Sequence, residues 1–271
     1  MGSNNKNDKA WEHYGKNDPY FGVLTADTFR LKSLDAEAKR RFLESGTRYV
    51  VGLMTALRDQ LGASFSPSRV LDFGCGVGRL TIPFSVGCTE AVGVDISDGM
   101  LAEAARNAEE QQRTNVSWVK GDETLSRVTG TFDLIHSFIV FQHIAKEQGL
   151  VILRKLISLL QEGGAGSLQF TYANSSATPR WRDLATQSYH RLKLAYGVRN
   201  LAKGRPFFEP MMQMNLYDVN EILRILQETG CHKVSLRFTE TSHFGFPIYG
   251  ATFMFQKKRV DVSEHGAIAP V

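Results

Sequence analysis

Between residues 70 and 257, short apolar runs alternate with stretches whose apolar positions recur at helical spacing. Val70 to Phe73 reads as a buried strand, and the three glycines Gly74, Gly76 and Gly78 make a tight turn before an apolar segment opens a helix. Ala91 to Ser97 reads as a second buried strand. Met100, Leu101, Ala104, Ala105 and Ala108 then put a helix over residues 98–112. Val116 to Lys120 is a third strand and Phe132 to Phe138 a fourth. A helix over 145–161, closed by Gly163-Gly164, leads into a fifth strand from Ala165 to Tyr172. Tyr217 to Thr229 is again helical, with Asn215 or Asp218 near its start and Gly230 after its end. Residues 232–240 and 248–257 alternate like two final strands joined by a short loop. Upstream, residues 35–61 read as a long helix, broken at Ser66-Pro67-Ser68.

This alternation predicts an α/β fold: a seven-stranded, mostly parallel sheet with its last strand antiparallel and helices on both faces. Two segments fall outside it. Residues 1–34 form an N-terminal lid segment, with 1–10 disordered or tag-like. The aromatic, turn-rich stretch 11–30 around Asn17-Asp18-Pro19 either covers a ligand or caps the sheet. Residues 174–215 are an insertion after the fifth strand, at the edge where such sheets bind ligands. Trp181, Leu184, Ala185, Ser188, Leu192 and Ala195 share helical spacing there, and that helix is expected to end near Tyr196. Arg180, Arg182, Arg191, Lys193, Arg199, Lys203 and Arg205 face a single acid, Asp183, and the loop Pro206 to Met214 is rich in aromatic and soft apolar groups. The segment reads as a helical substrate cap with a positive face, which either binds an anion or is simply solvated. The core domain is thus 35–173 plus 216–258, and 259–271 is a tail.

Composition narrows the class. The net charge of +4 is too mild to imply nucleic acid. Cys75, Cys88 and Cys231 form no C-x-x-C pair, which fits a reducing compartment and argues against structural zinc. There is no apolar run of membrane-spanning length and no apolar signal core near the start, so a cytoplasmic location is expected. No Asp/Glu/His grouping has clear metal-ligand spacing, so no metal requirement is expected.

The Gly-rich turn carries the chemistry. A dinucleotide turn reads G-x-G-x-x-G and seats a pyrophosphate on a helix N-terminus. Here the third glycine comes one residue early, and Asp72 would point negative charge at any phosphate. An acid suits a ligand with an ammonium and a sulfonium instead. Asp72 followed by Gly74, Gly76 and Gly78 resembles the first motif of the class I S-adenosylmethionine (SAM) methyltransferases, of the bacterial small-molecule or glycan type. The resemblance runs in order over residues 70–144.

It implies a Rossmann-like fold and SAM as cofactor. Asp72, Gly74, Cys75 and Gly76 would line the turn. Asp95, ending strand two, would accept the ribose hydroxyls. Ile96 and Met100 would flank the adenine, Asp122 or its neighbour Glu123 would meet the adenine amino group, and Phe138 would line the site after strand four. Asp18 to Thr25 resembles an N-terminal element that folds over the cofactor in related enzymes.

Methyl transfer from a sulfonium requires the nucleophile in line with the departing sulfur, and a hydroxyl nucleophile also needs a base. His143, just past strand four, is the candidate base; it alternatively orients its loop. His136, inside the strand, reads as structural. Tyr172, Trp181, His190 and Phe207 are candidate substrate contacts, and His190 and His243 are further candidate bases. The expected activity is O-methylation of a hydroxylated, possibly anionic, small molecule or glycan. N-methylation of a small molecule is one alternative. The Asn/Asp-Pro-Pro-aromatic motif of exocyclic-amine methylases is absent where Phe138-Ile139-Val140-Phe141 stands. An RNA- or membrane-surface-binding protein with a vestigial SAM site is another alternative, but the intact cofactor motifs argue against it. The sequence leaves the oligomeric state open.

Overall fold

The structure, a computed structural model, describes residues 4–174, 210, 212–243 and 246–259. Its strands are β1 (Arg69–Phe73), β2 (Glu90–Asp95), β3 (Val116–Lys120), β4 (Phe132–Ser137), β5 (Leu160–Asn174), β6 (Cys231–His243) and β7 (Phe246–Lys257). They form one seven-stranded sheet in the order β3-β2-β1-β4-β5-β7-β6. The first five run parallel, and β7 pairs antiparallel with both β5 and β6. This is the Rossmann-like arrangement that the alternation predicts.

Strand alternation sorts the core into two layers. Val70 and Leu134 face α3 (Ala36–Leu61), meeting Val50, Leu53 and Leu57. Leu71, Phe73 and Ile135 face the opposite side and pack with Leu153, Leu156 and Ile157 of a helix over Lys146–Leu159 and with Ile222 and Leu226 of another over Val219–Glu228. Both layers leave the carboxyl ends of β1, β2 and β4 open, which is where a parallel sheet binds ligands.

The structure corrects the sequence reading at four places. Residues 4–10, read as disordered or tag-like, belong to α1 (Asn4–Asn17). The short helix α2 (Pro19–Val23) follows it, so the stretch 11–30 is more helical than its turn residues suggest. The helix before β5 ends at Leu159, and Gly163-Gly164 lie within β5 rather than at a helix end. Leu160 already pairs with Phe132, and a register shift between Phe132 and Leu134 absorbs the extra residues. Gly163 takes a positive φ of 77° inside that irregularity, a conformation glycine adopts without strain. The helix expected from Tyr217 starts at Val219, where the Asp218 carboxylate accepts a hydrogen bond from Asn220 N. Among the described residues, no helix is long and apolar enough to cross a membrane.

α1 docks on α4 (Asp98–Glu110) through a close backbone approach. A Cβ on Gly99 would lie 2.6 Å from the Gly15 carbonyl carbon, so neither helix tolerates a side chain at that crossing. Glu12 then accepts hydrogen bonds from the Ser97 hydroxyl at 2.9 Å and from Gly99 N at 3.3 Å. Burial alone would raise the Glu12 carboxyl. The bonds from Lys16, Ser97 and Gly99 together outweigh it and hold the group below its ordinary value. A carboxyl depressed in the docked state stabilises docking above its unfolded pKa, and that contribution is lost as pH falls through the folded value. Glu12→Gln should therefore loosen α1 at neutral pH, and acidification should do the same in the wild type. Limited proteolysis within residues 4–17 is the measurement; equal protection of variant and wild type at pH 7 would rule the latch out.

Candidate active site

A cavity of ≈ 540 Å³ opens at the carboxyl ends of β1, β2 and β4. That volume suits a ligand of cofactor size. Asp72, Gly74, Cys75, Gly76, Asp95, Ile96, Met100, Asp122, Glu123, Phe138 and His143 all line it. Residues up to 71 positions apart in sequence thus converge because the parallel strands end together.

The turn after β1 uses its own amides. Gly74 N and Cys75 N both donate to the Val94 carbonyl, at 2.7 and 3.0 Å, and Gly78 N donates to the Cys75 carbonyl at 3.0 Å. Gly76 N donates to Asp95 Oδ2 at 2.9 Å. A pyrophosphate site needs these N–H groups turned outward. Here the amides of Gly74, Cys75, Gly76 and Gly78 are bonded within the protein instead. Gly74, Gly76 and Gly78 all take positive φ, which explains why glycine recurs at alternate positions.

Asp95 is the best-placed ligand group. Its Oδ1 accepts from Ser97 N at 2.9 Å and its Oδ2 from Gly76 N. Each oxygen keeps acceptor capacity for one further donor, matching a pair of vicinal hydroxyls. Burial raises its pKa, and the bonds from Ser97 and Gly76 oppose that rise. Removing the carboxylate from this buried position should weaken SAM binding by about 1.5–3 kcal/mol, the usual cost of a charged hydrogen bond. An unchanged dissociation constant in a folded Asp95→Ala protein, measured by calorimetry, would place the ribose contact elsewhere. Met100 is buried beside Ile96 and supplies an apolar wall.

Other predicted residues play different parts. Asp72 is buried and already engaged: Thr81 Oγ1 donates to Oδ2 at 2.6 Å, and His136 Nδ1 lies 2.8 Å from Oδ1. His136 is fully buried and bonded at its other nitrogen to Tyr49 Oη, so it holds β1 to β4 in a structural role. The Asp122 carboxylate turns into its own loop, accepting from Ser126 and Thr124, and these bonds hold it well below the ordinary carboxylate range. Glu123, beside it, is exposed. Burial pushes the Cys75 thiol well up. Phe138 stacks at 4.5 Å on Tyr49.

Tyr172 is not brought into the cavity lining. It packs against Phe238 and Tyr249 at 6.0 and 6.4 Å, while Gln169 and Thr171 of the same strand face the cavity. Alternation along β5 puts 169 and 171 on one face and 172 on the other. Trp181, His190 and Phe207 lie outside the described residues, as does most of the insertion 174–215. Its end is described, and it belongs to the site. The Pro210 carbonyl accepts from Tyr14 Oη at 2.6 Å, and Asn215 N donates to the Gln142 carbonyl at 2.6 Å.

His143 sits in a short 3-10 turn over Phe141–His143 and is 7% exposed. Its Nδ1 lies 2.7 Å from the Gln213 carbonyl oxygen. A carbonyl only accepts, so Nδ1 carries the proton and Nε2 of the neutral ring is the acceptor. The Gln142 amide nitrogen donates to Nε2 at 3.1 Å, and Thr171 Oγ1 donates to Gln142 Oε1 at 2.8 Å. Trp11 of α1 meets the imidazole edge-on at 4.9 Å, and Asn7 donates to the His143 carbonyl. Sequence reasoning missed Gln142, Gln169, Trp11 and Asn7, which have no motif of their own. It also missed the strain at Ile139, a β-branched residue at φ 62° beside the site, whose N–H donates to Gln169 Oε1.

Comparison with known proteins agrees with this geometry. Residues 70–164 match the family model described as a methyltransferase domain. The chain is 27% identical over 165 residues to ubiquinone biosynthesis O-methyltransferase of Coxiella burnetii, covering 60% of this chain and 67% of that one. It is 31% identical over 146 residues to 23S rRNA (uracil(1939)-C(5))-methyltransferase of Burkholderia pseudomallei, covering 49% of this chain and only 30% of that one. An RNA methyltransferase of Thermosynechococcus vestitus is 30% identical over 100 residues, covering 36% of this chain and 22% of its own. Magnesium protoporphyrin IX methyltransferase from Synechocystis PCC 6803, solved with bound SAM, shares the fold with a TM-score of 0.55 at 19% identity, over 93% of this chain and 97% of that one. The N-methyltransferase NodS from Bradyrhizobium japonicum WM9, solved with S-adenosylhomocysteine (SAH), does so with a TM-score of 0.56 at 14% identity, over 94% and 100%. Residues 70–164 thus match a methyltransferase domain, and the chain shares the Rossmann-like fold of methyltransferases solved with SAM or SAH.

Proposed function

We propose that the protein methylates a hydroxyl oxygen of a small-molecule or glycan acceptor, with His143 as general base. SAM, when bound, supplies a methyl carbon made electrophilic by the sulfonium. Asp95 would hold its ribose, Ile96 and Met100 its adenine face, and Asp122 or Glu123 its amino group.

The observation that carries the O-methylation reading is the tautomer of His143. The Gln213 carbonyl fixes the proton on Nδ1 and leaves Nε2 basic. An acceptor hydroxyl that displaces the Gln142 N–H from Nε2 can pass its proton there as the oxygen attacks. The resulting imidazolium keeps its Nδ1–H bond to Gln213. Gln142 can rotate its amide to offer Oε1 to the new Nε2–H, so one side chain serves both protonation states. Gln169, Thr171, Thr239 and Thr241 add neutral amides and hydroxyls to the lining, which suits a hydroxylated acceptor. The insertion 174–215, with Trp181, His190 and Phe207, remains the proposed acceptor cap.

Incubation with methyl-labelled SAM and a panel of phenols, glycans, amines and RNA tests this. Label in an O-methyl product, with a rate insensitive to salt, is expected. Label in an N-methyl product would replace the base reading. Label in RNA, with binding that falls steeply with salt, would replace the small-molecule reading.

A further inference from the structure

A glycine inside a strand gives up packing, and where its backbone is ordinary the missing side chain marks a close approach. Gly250 lies within β7, takes no positive φ and lines the cavity. It pairs with Thr171 of β5 on one side and with Thr239 of β6 on the other. A Cβ there would lie 2.5 Å from Gln169 Nε2 and 2.6 Å from Thr239 Oγ1. Two polar groups thus converge on the space beside the glycine, near enough for one ligand atom to meet both. Gln169 is 5% exposed, and its amide has one orientation. The Ile139 N–H can only donate, so the atom that meets it at 3.1 Å is Oε1. Ile139 presents that N–H from its strained φ of 62°. Nε2 is then a fixed donor at the cavity wall. Neither it nor the Thr239 hydroxyl has a hydrogen-bond partner among the described residues, and a buried donor is costly to leave unmet.

We propose that Gln169 Nε2 and Thr239 Oγ1 receive a neutral carbonyl oxygen of the methyl acceptor, so that the acceptor is a hydroxylated carbonyl compound. The proposal rests on the O-methylation reading above and narrows its substrate class. Both groups donate and neither is charged, which suits a carbonyl oxygen with its two lone pairs. Glu240, next to Thr239 and also on the lining, disfavours an anionic oxygen there. The cradle adjoins the base. Thr171, cross-strand from Gly250, donates to Gln142 Oε1, and Gln142 donates to His143 Nε2. Neighbouring strands lie about 4.8 Å apart. The cradle therefore begins one strand spacing from the base's own hydrogen-bond chain, within the span of a substituted ring. Gln169 takes no part in proton transfer; it selects which hydroxyl compound is held.

Initial rates with methyl-labelled SAM and matched probes test this. 3- and 4-Hydroxyacetophenone carry the carbonyl; 3- and 4-ethylphenol have the same ring and hydroxyl without it. The wild type is expected to favour a ketone over its partner by about 10- to 100-fold in kcat/KM, the effect of leaving a buried donor unmet. Gln169→Glu keeps an oxygen for the Ile139 N–H and turns the donor into an acceptor. It should erase the preference while SAH affinity, measured by calorimetry, stays within about two-fold. Retained SAH binding also shows that the variant is folded. Should Gln169→Glu not fold, Thr239→Val removes the second donor at nearly constant shape and should cut the preference several-fold. A ketone preference that persists in a folded variant would overturn the proposal, and so would a wild type that makes no distinction. A wild type that neither methylates a ketone nor binds one in its SAH complex would overturn it as well. The amines 3-aminoacetophenone and 3-ethylaniline separate this proposal from the reading beneath it. A ketone preference confined to the amines keeps the cradle and rejects O-methylation. Methylated phenols with no ketone preference reject the cradle and leave O-methylation standing.

Discussion

Replacing His143 with alanine should lower turnover by about 10²–10⁴-fold, the usual contribution of a positioned base, while SAM affinity stays nearly intact. The residue lines the cavity after β4, and the Gln213 carbonyl fixes its proton on the far nitrogen. Its ring also fills space against Trp11, so the alanine variant needs a control. His143→Gln keeps volume and a hydrogen bond to Gln213 but cannot take up a proton, and it should be as slow as alanine. Wild-type rate should fall as pH drops through the imidazole's titration, and the variants should lose that dependence. Near-normal turnover in His143→Gln with the true acceptor would reduce His143 to a loop anchor.

The second large effect concerns stability. Asp72→Ala should destabilise the fold by about 3–5 kcal/mol, as expected when one partner of a buried polar cluster is removed. The buried carboxylate, at the cavity's edge, receives Thr81 and His136. Its loss leaves a hydroxyl and an imidazole nitrogen without their acceptor. Urea unfolding measures this directly. A loss below about 1 kcal/mol would mean that water or rearranged neighbours replace the carboxylate.

The sheet was legible because its signals are local. Val70 to Phe73 and Ala91 to Asp95 are apolar runs ending near acids, and Gly74, Gly76 and Gly78 mark a turn that only positive φ can make. α1 was illegible over residues 4–10 because that stretch is polar; the helix is held instead by Gly15 against Gly99 and Glu12 on Ser97. These partners lie about eighty residues away in sequence, beyond any periodicity. Gly163-Gly164 looks like a helix stop and is a strand irregularity, because pairing of Leu160 with Phe132 overrides the local preference.

The site divides the same way. Asp95 and Ile96 follow from strand ends, whereas the Thr171–Gln142–His143–Gln213 chain is assembled from three separate segments. Tyr172 looked suited to the cavity mouth, but the alternation of β5 gives that face to Gln169 and Thr171. Arg79 has no motif of its own. That its Nε lacks a partner among the described residues becomes visible once α3 is folded over it.

The central claim is that this cavity holds SAM and not a dinucleotide. Calorimetry of the purified protein against SAH and against NAD tests it most directly. SAH should bind at one site per chain and weaken in Asp95→Ala, while NAD should show no binding, because the amides of the Gly-rich turn are bonded to Val94, Cys75 and Asp95. Tight NAD binding together with no SAH binding would contradict the account.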